Sequence, residues 1–331
     1  MSDTLQRELR IDVSDVVDLP GPLETAVTVH LPPPGTELCS PPVVAFGFPG
    51  GGYSRGYWDI DDPAFPGYSQ AAHHVGRGWI FVACDHLGVG GSSLPDPAAL
   101  TFESLAAANH ATVGRVLDRL RDGSVDGRLD AVGEAPLLVG MGQSMGGGLL
   151  IVQQGRHATF DAVAILGFSA LHTVIPAVDG DDSGLHDTAR GVGSVTMADY
   201  VAAARPGLFR VFHWDDVPDH FVDADLSDIP RVAGRNPAWG SVTAPNVCFT
   251  MTSEGCVGPE AAAISVPVFV GCGQRDVVPS PRTEPTGYPA SPDITVFVVT
   301  RMAHMHNFAS TRQQLWRRLH GWVTALAAGR S

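Results

Sequence analysis

The chain has 331 residues, 44% of them apolar, with 35 acids against 21 bases and a net charge of -14. That length gives room for one large α/β domain carrying an insertion, and the composition excludes global disorder. Every base is an arginine, so the chain lacks both the basic face of a nucleic-acid binder and any lysine-based mechanism.

Residues 10–13 and 25–31 read as strands, separated by Leu19-Pro20-Gly21-Pro22. Residues 43–48 form a short continuous apolar run ended by Pro49-Gly50-Gly51-Gly52, which suits a strand buried on both faces. A helix over 69–77 leads to a strand over 79–84 that ends at Asp85. The next helix, 97–121, places Val113, Val116, Leu117 and Leu120 at three- and four-residue spacing and stops at Asp122-Gly123. A strand over 136–139, a helix over 145–154 and a strand over 160–167 follow. From about 170 to 262 the alternation gives way to a segment rich in Asp, Pro and aromatic residues. It resumes with strands over 266–272 and 294–299 and a last helix over 310–326, with Leu315, Leu319, Trp322, Val323 and Leu326 on one face. The pattern predicts an α/β fold, a mostly parallel central sheet with helices on both faces. The core is expected in two parts, 1–169 and 263–331, with a helical cap insertion over 170–262 at the carboxyl end of a strand, where open α/β sheets bind ligands.

The most informative stretch is Gly142-Gln143-Ser144-Met145-Gly146, a G-x-S-x-G that follows an apolar strand and opens a helix. That is the context a nucleophile elbow requires: a strained strand-to-helix turn with glycine neighbours, the serine hydroxyl projecting from the sheet. After such an elbow the chain order is acid and then histidine. Of the 13 histidines only His304, His306 and His320 lie beyond residue 272, and His320 falls within the last helix as a surface or packing residue. His304 and His306 lie in the turn after a strand; His304 is the preferred base and His306 the alternative. Asp276, just past the 266–272 strand, is the expected acid, because residues 166–170 at the end of the preceding strand hold no carboxylate.

With these features the sequence resembles the α/β-hydrolase superfamily over almost its whole length. The carriers are Gly142–Gly146, Asp276, the His304 turn, Phe48-Pro49-Gly50-Gly51-Gly52, and Asp85-His86-Leu87-Gly88-Val89-Gly90-Gly91-Ser92, which is similar to the family's D-x-x-G-x-G-x-S turn. The resemblance implies an oxyanion hole of two backbone N–H groups. One is that of Met145; the other belongs to the loop after the third strand, at Gly51 or, in the alternative register, Phe48. The family's usual histidine in that loop is absent. The resemblance also implies acyl chemistry, since members that dehalogenate or open epoxides carry Asp at the nucleophile position. Tyr53 and Trp58 after the loop, with Phe209, Phe212, Trp214 and Phe221 of the insertion, are the expected pocket residues.

The resulting expectation is a serine carboxylic-ester hydrolase, an esterase or lactonase acting on a hydrophobic or aromatic small molecule through an acyl-enzyme. The alternatives are an acyltransferase or thioesterase using the same three residues, or a non-catalytic ligand-binding protein. No cofactor and no metal are implied. No apolar run reaches the ~20 residues that span a bilayer. Met1 to Ile11 carry no apolar signal region, and the five cysteines form no C-x-x-C pair, so a reduced, cytoplasmic protein is expected, free of nucleic-acid and membrane partners; a homodimer stays open. Residues 170–262 hold 13 acids and 5 arginines, over half the net charge, so the insertion should repel anionic substrates.

Overall fold

The computed structural model describes residues 5–60, 66–126, 135–176, 208–226 and 233–330. Its main sheet is built from eight strands: β1 (Leu5–Asp12), β2 (Glu24–Leu31), β3 (Val43–Phe48), β6 (Ile80–Cys84), β7 (Leu137–Gln143), β8 (Ala162–Leu166), β9 (Val268–Arg275) and β10 (Ile294–Ala303). A two-residue pair, β4 (Asp59–Ile60) and β5 (Tyr68–Ser69), stands apart. The order across the sheet is β1-β2-β6-β3-β7-β8-β9-β10. β1 and β2 are antiparallel to their neighbours, and every pairing from β6 to β10 is parallel.

Alternation along the central strands assigns side chains to two cores. Val44, Phe46 and Phe48 of β3 face one core with α2 (Phe102–Arg121) and α3 (Met145–His157). Val43 and Ala45 face the other, with α1 (Gln70–Val75) and the C-terminal helix. The described α-helices of the central segment are α4 (Asp219–Leu226), α5 (Val247–Thr250) and α6 (Gly258–Ala263), and α7 (Arg312–Ala328) is the last element. Among the described residues no helix is long and apolar enough to cross a membrane. All five cysteines are free.

Several boundaries differ from those read in the sequence. β1 begins at Leu5 rather than residue 10, because an edge strand with one wet face alternates Gln6, Glu8 and Arg10 with Arg7, Leu9 and Ile11 and lacks a continuous apolar run. The helix expected from 97 starts at Phe102: Asp96 and Pro97 make a separate short turn, and Thr101 and Ser104 form a capping box. β7 runs on through Gly140 and Gly142 to Gln143, past the glycine at which the apolar run stops. β10 continues to Ala303 through an irregularity after Val299, where Arg301 adopts φ 55°.

The D-x-x-G-x-G-x-S turn after β6 is a structural clamp. Asp85 is fully buried and accepts from the Arg55 backbone N–H and guanidinium, both at 2.5 Å, and from Gly91 N–H at 2.7 Å. Ser92 Oγ accepts from Ala26 N–H in β2 at 2.9 Å and donates to the Asp85 carbonyl at 3.1 Å. The turn thereby ties the carboxyl end of β6 to β2 and to Arg55 in the chain after β3.

Candidate active site

Ser144 joins β7 to α3 at φ 51°, ψ -120°, a backbone conformation that side-chain-bearing residues rarely adopt. Its flanking glycines are required by contact. A Cβ on Gly142 would overlap the Gly146 carbonyl, and a Cβ on Gly146 would overlap the carbonyls of Phe48 and Pro49. The tight turn aims Ser144 away from the sheet and sets it at the N-terminus of a 13-residue helix, whose first N–H groups have no partner within the helix.

The other two expected residues come from the loops after β9 and β10. His304, just past β10, has Nε2 3.0 Å from Ser144 Oγ and Nδ1 2.7 Å from Asp276 Oδ1. Asp276, just past β9, also accepts Val277 N–H on Oδ1 at 2.8 Å and Gly273 N–H on Oδ2 at 2.7 Å. Gly167, at φ 57°, packs against this pair: a Cβ there would lie 3.1 Å from His304 Nδ1 and 3.3 Å from Asp276 Oδ1. Gln143 donates its side-chain amide to the His304 carbonyl at 3.2 Å, tying the elbow to the histidine turn. Burial alone would raise the Asp276 carboxyl; the neighbouring imidazoles, His306 foremost, and their hydrogen bonds outweigh it and hold the group far below the ordinary carboxylate range.

His306 does not face Ser144. Its Nε2 lies 2.7 Å from Asp276 Oδ2, so both histidines proposed from the sequence meet the same carboxylate from opposite oxygens. His320 stacks on Trp79 and His74, away from the site.

The glycine loop after β3 passes over the elbow. A Cβ on Gly50 would lie 3.1 Å from Ser144 Cβ; one on Gly51 would overlap Cys248 Sγ and lie 4.0 Å from Met145 Sδ. The Phe48 backbone belongs to β3 opposite Gly142, and its buried ring stacks on His86 at 5.7 Å. His86 is a residue the sequence did not single out. Its Nε2 lies 3.2 Å from the Pro49 carbonyl and its Nδ1 3.1 Å from Asn109 Nδ2 of α2. A carbonyl can only accept, so Nε2 carries the proton and Nδ1 accepts from Asn109. Burial pushes the His86 imidazole down to about 4, against the opposing pull of these two bonds. Its position in the turn after β6 is a signal only once that turn is known to abut the β3 loop.

The expected pocket residues part ways. Phe212 stands beside His304, ring centroids 4.8 Å apart, and its carbonyl accepts Met305 N–H at 2.9 Å. Trp214 lies under the Arg275 guanidinium at 4.9 Å. Tyr53 is half-buried and donates its hydroxyl to Asp225 of α4 at 2.7 Å. Trp58 is a correction: it is fully buried against Tyr57 and Phe81 and belongs to the core, because the chain after Tyr53 turns back under the sheet. Phe221 is also buried, stacked on Tyr68 at 4.7 Å. The side chain of Phe209 lies outside the described residues.

The described parts of the central segment are fastened to the strand ends around the site. Arg275 donates to the carbonyls of Val211 and His213, at 3.2 and 2.5 Å. Asp225 accepts from His213 Nε2 at 3.0 Å and Trp239 Nε1 at 2.8 Å as well as from Tyr53. Among the described residues no group of three His, Cys, Asp or Glu could hold a metal ion.

The sequence matches no protein-family model, and it matches no curated relative. Solved structures do resemble the chain. An enol-lactonase from Burkholderia xenovorans aligns over 91% of this chain and 97% of its own, at 16% identity and a TM-score of 0.57. A thermophilic esterase from Thermogutta terrifontis aligns over 97% and 99%, at 15% identity and 0.60. A bromoperoxidase from Bacillus anthracis aligns over 96% and 99%, at 17% identity and 0.61. Together with the eight-stranded, mostly parallel sheet, these likenesses establish the fold: the chain has the α/β-hydrolase fold.

Proposed function

We propose that the protein is a serine hydrolase cleaving a carboxylic ester or lactone of a hydrophobic small molecule. The observation that carries this reading is the unbroken hydrogen-bond relay from Ser144 Oγ through His304 to Asp276, with the serine on a strained elbow. In the proposed reaction Ser144 attacks the carbonyl carbon while His304 Nε2 takes its proton. Asp276 holds the imidazole with Nδ1 protonated and steadies the imidazolium that forms. The tetrahedral intermediate places its negative oxygen on the Met145 N–H and on a second amide, that of Gly51 in the loop after β3 or of Phe48 at the end of β3. His304 then returns the proton to the leaving alkoxide, and water repeats the sequence on the acyl-enzyme.

The apolar neighbours of the relay support the substrate class: the Phe212 ring beside His304, and the Met145 and Cys248 side chains against Gly51. The described parts of residues 170–262 serve in this reading as a cap beside the site, a role supported by the bonds of Arg275, Tyr53 and Met305 to Val211, Asp225 and Phe212. The free cysteines accord with a reduced, cytoplasmic setting.

The test is substitution of the nucleophile. Ser144→Ala should abolish turnover of p-nitrophenyl esters and labelling by a fluorophosphonate probe, with an unchanged thermal melt. Turnover retained by the variant would refute the assignment.

A further inference from the structure

Asp276 serves two imidazoles. Oδ1 faces His304 Nδ1 and Oδ2 faces His306 Nε2, each at 2.7 Å, and each oxygen also accepts one backbone N–H. All three side chains are almost completely buried. An ionised carboxylate can only accept, so each ring must present an N–H to it. His304 presents Nδ1–H, which leaves Nε2 free to accept from Ser144. His306 presents Nε2–H, which leaves its Nδ1 as a lone pair without a hydrogen-bond partner in the structure. With Nε2 committed to the carboxylate and its ring centroid 6.4 Å from that of His304, His306 is not placed to deprotonate the serine.

A buried Nδ1 without a partner costs stability, since a desolvated acceptor forfeits its bonds to water. What the ring supplies in return is a fourth donor to Asp276. We propose that His306 is a positioning residue of this site, acting on His304 only through their shared carboxylate. The inference rests on the serine-hydrolase reading above and deepens it.

Two consequences follow from the geometry. First, the pair of bonds on Oδ2, from His306 and Gly273, fixes the carboxylate's rotation so that Oδ1 stays in line with His304 Nδ1. Second, a fourth donor draws electron density from the carboxylate and weakens its pull on the His304 proton. The titratable groups facing His306 are Asp276 past β9, His304 on its own turn and, beside its backbone, Tyr57 from the chain after β3. Tyr57 is held protonated by burial, so the carboxylate is the charged neighbour through which His306 acts.

The experiment compares His306→Phe, which keeps a ring and removes the donor, with His306→Gln, whose amide nitrogen can reach the Nε2 position. His306→Phe should lower kcat roughly ten- to a hundredfold with KM little changed, as a small misalignment of the relay would. Its acid limb in kcat/KM should move to higher pH by about half a unit or more, because Asp276, freed of one donor, stabilises the His304 imidazolium better. His306→Gln should recover most of kcat and return the limb to its original position. A limb that stays put in His306→Phe, or a Gln variant as impaired as the Phe variant, would overturn the proposal. Should His306→Phe fail to fold, proton NMR of the unmodified protein decides: two far-downfield N–H resonances are expected, one from each imidazole, and a single one would overturn it. Ser144→Ala should keep both resonances, and turnover by that variant would refute the hydrolase reading separately.

Discussion

Gly146 sits so close beneath the Phe48 carbonyl that a single methyl group on it would overlap that oxygen. The contact presses the start of α3, just after Ser144, against the end of β3 and the loop that in the proposed reaction supplies the second oxyanion donor. Gly146→Ala should therefore damage chemistry as well as stability. A shift of the loop by a fraction of an ångström to relieve the overlap should lower kcat/KM by about a hundredfold. Ester kinetics and a thermal melt on the same preparation check this; a variant that melts lower and turns over normally would show the contact to be packing alone.

His86 should matter to the same loop. It donates to the Pro49 carbonyl and stacks on Phe48, and His86→Phe keeps the stacking while removing the donor. We expect kcat to fall about tenfold or more, below the cost of deleting an oxyanion donor outright. Steady-state kinetics across a series of acyl chain lengths would register this as a loss in kcat common to all substrates.

The Arg55–Asp85 pair should be among the costliest contacts to break. Asp85 is fully buried, and Arg55 Nη2 also reaches Glu8 at 2.6 Å. Burial raises the Asp85 carboxyl and Arg55 opposes that rise. Arg55→Met leaves a buried carboxylate without its counter-charge and should cost about 3–5 kcal/mol in urea denaturation. Replacing both members by apolar residues should cost less than the single change.

A cluster of rings on the far side of the sheet sets an acid limit. His74, His320 and Trp79 stack face to face, with His73 beside them. Burial, helped by Arg77 and by the histidines' own mutual repulsion, lowers all three imidazoles, His73 and His320 to about 4. Above the ordinary histidine value near 6.5 the rings are neutral in both folded and unfolded chains and add no pH dependence. As pH falls from there towards about 4, the unfolded chain binds protons that the folded chain refuses, so stability declines across that window. Thermal melting between pH 7 and 4 should show this decline, and His320→Phe should make it shallower.

How much of this was legible in the sequence varies with the physics of each element. The strands buried on both faces, β3, β6 and β8, announce themselves as unbroken apolar runs. The elbow is legible because its glycines are dictated by backbone contact, and Asp276 and His304 follow from chain order once the elbow is placed. The rest depends on contacts between distant segments. That His304 rather than His306 faces Ser144 depends on how the chain turns past the irregular end of β10, which two histidines two positions apart do not reveal. Trp58 reads as a loop aromatic until the chain is seen to fold back beneath β6. His86 has no local pattern to mark it, since its partners are Pro49 and Asn109 on separate elements.

In the proposed reaction Ser144 carries the acyl group between two half-reactions. The most direct measurement is rapid acid quench of the protein during turnover of a p-nitrophenyl ester, followed by intact-mass and peptide mass spectrometry. An added acyl mass on the peptide containing Ser144, absent in Ser144→Ala and accumulating in His304→Ala only far more slowly, is the predicted result. Turnover without any acyl adduct, or an adduct on another residue, would contradict the proposed role of Ser144.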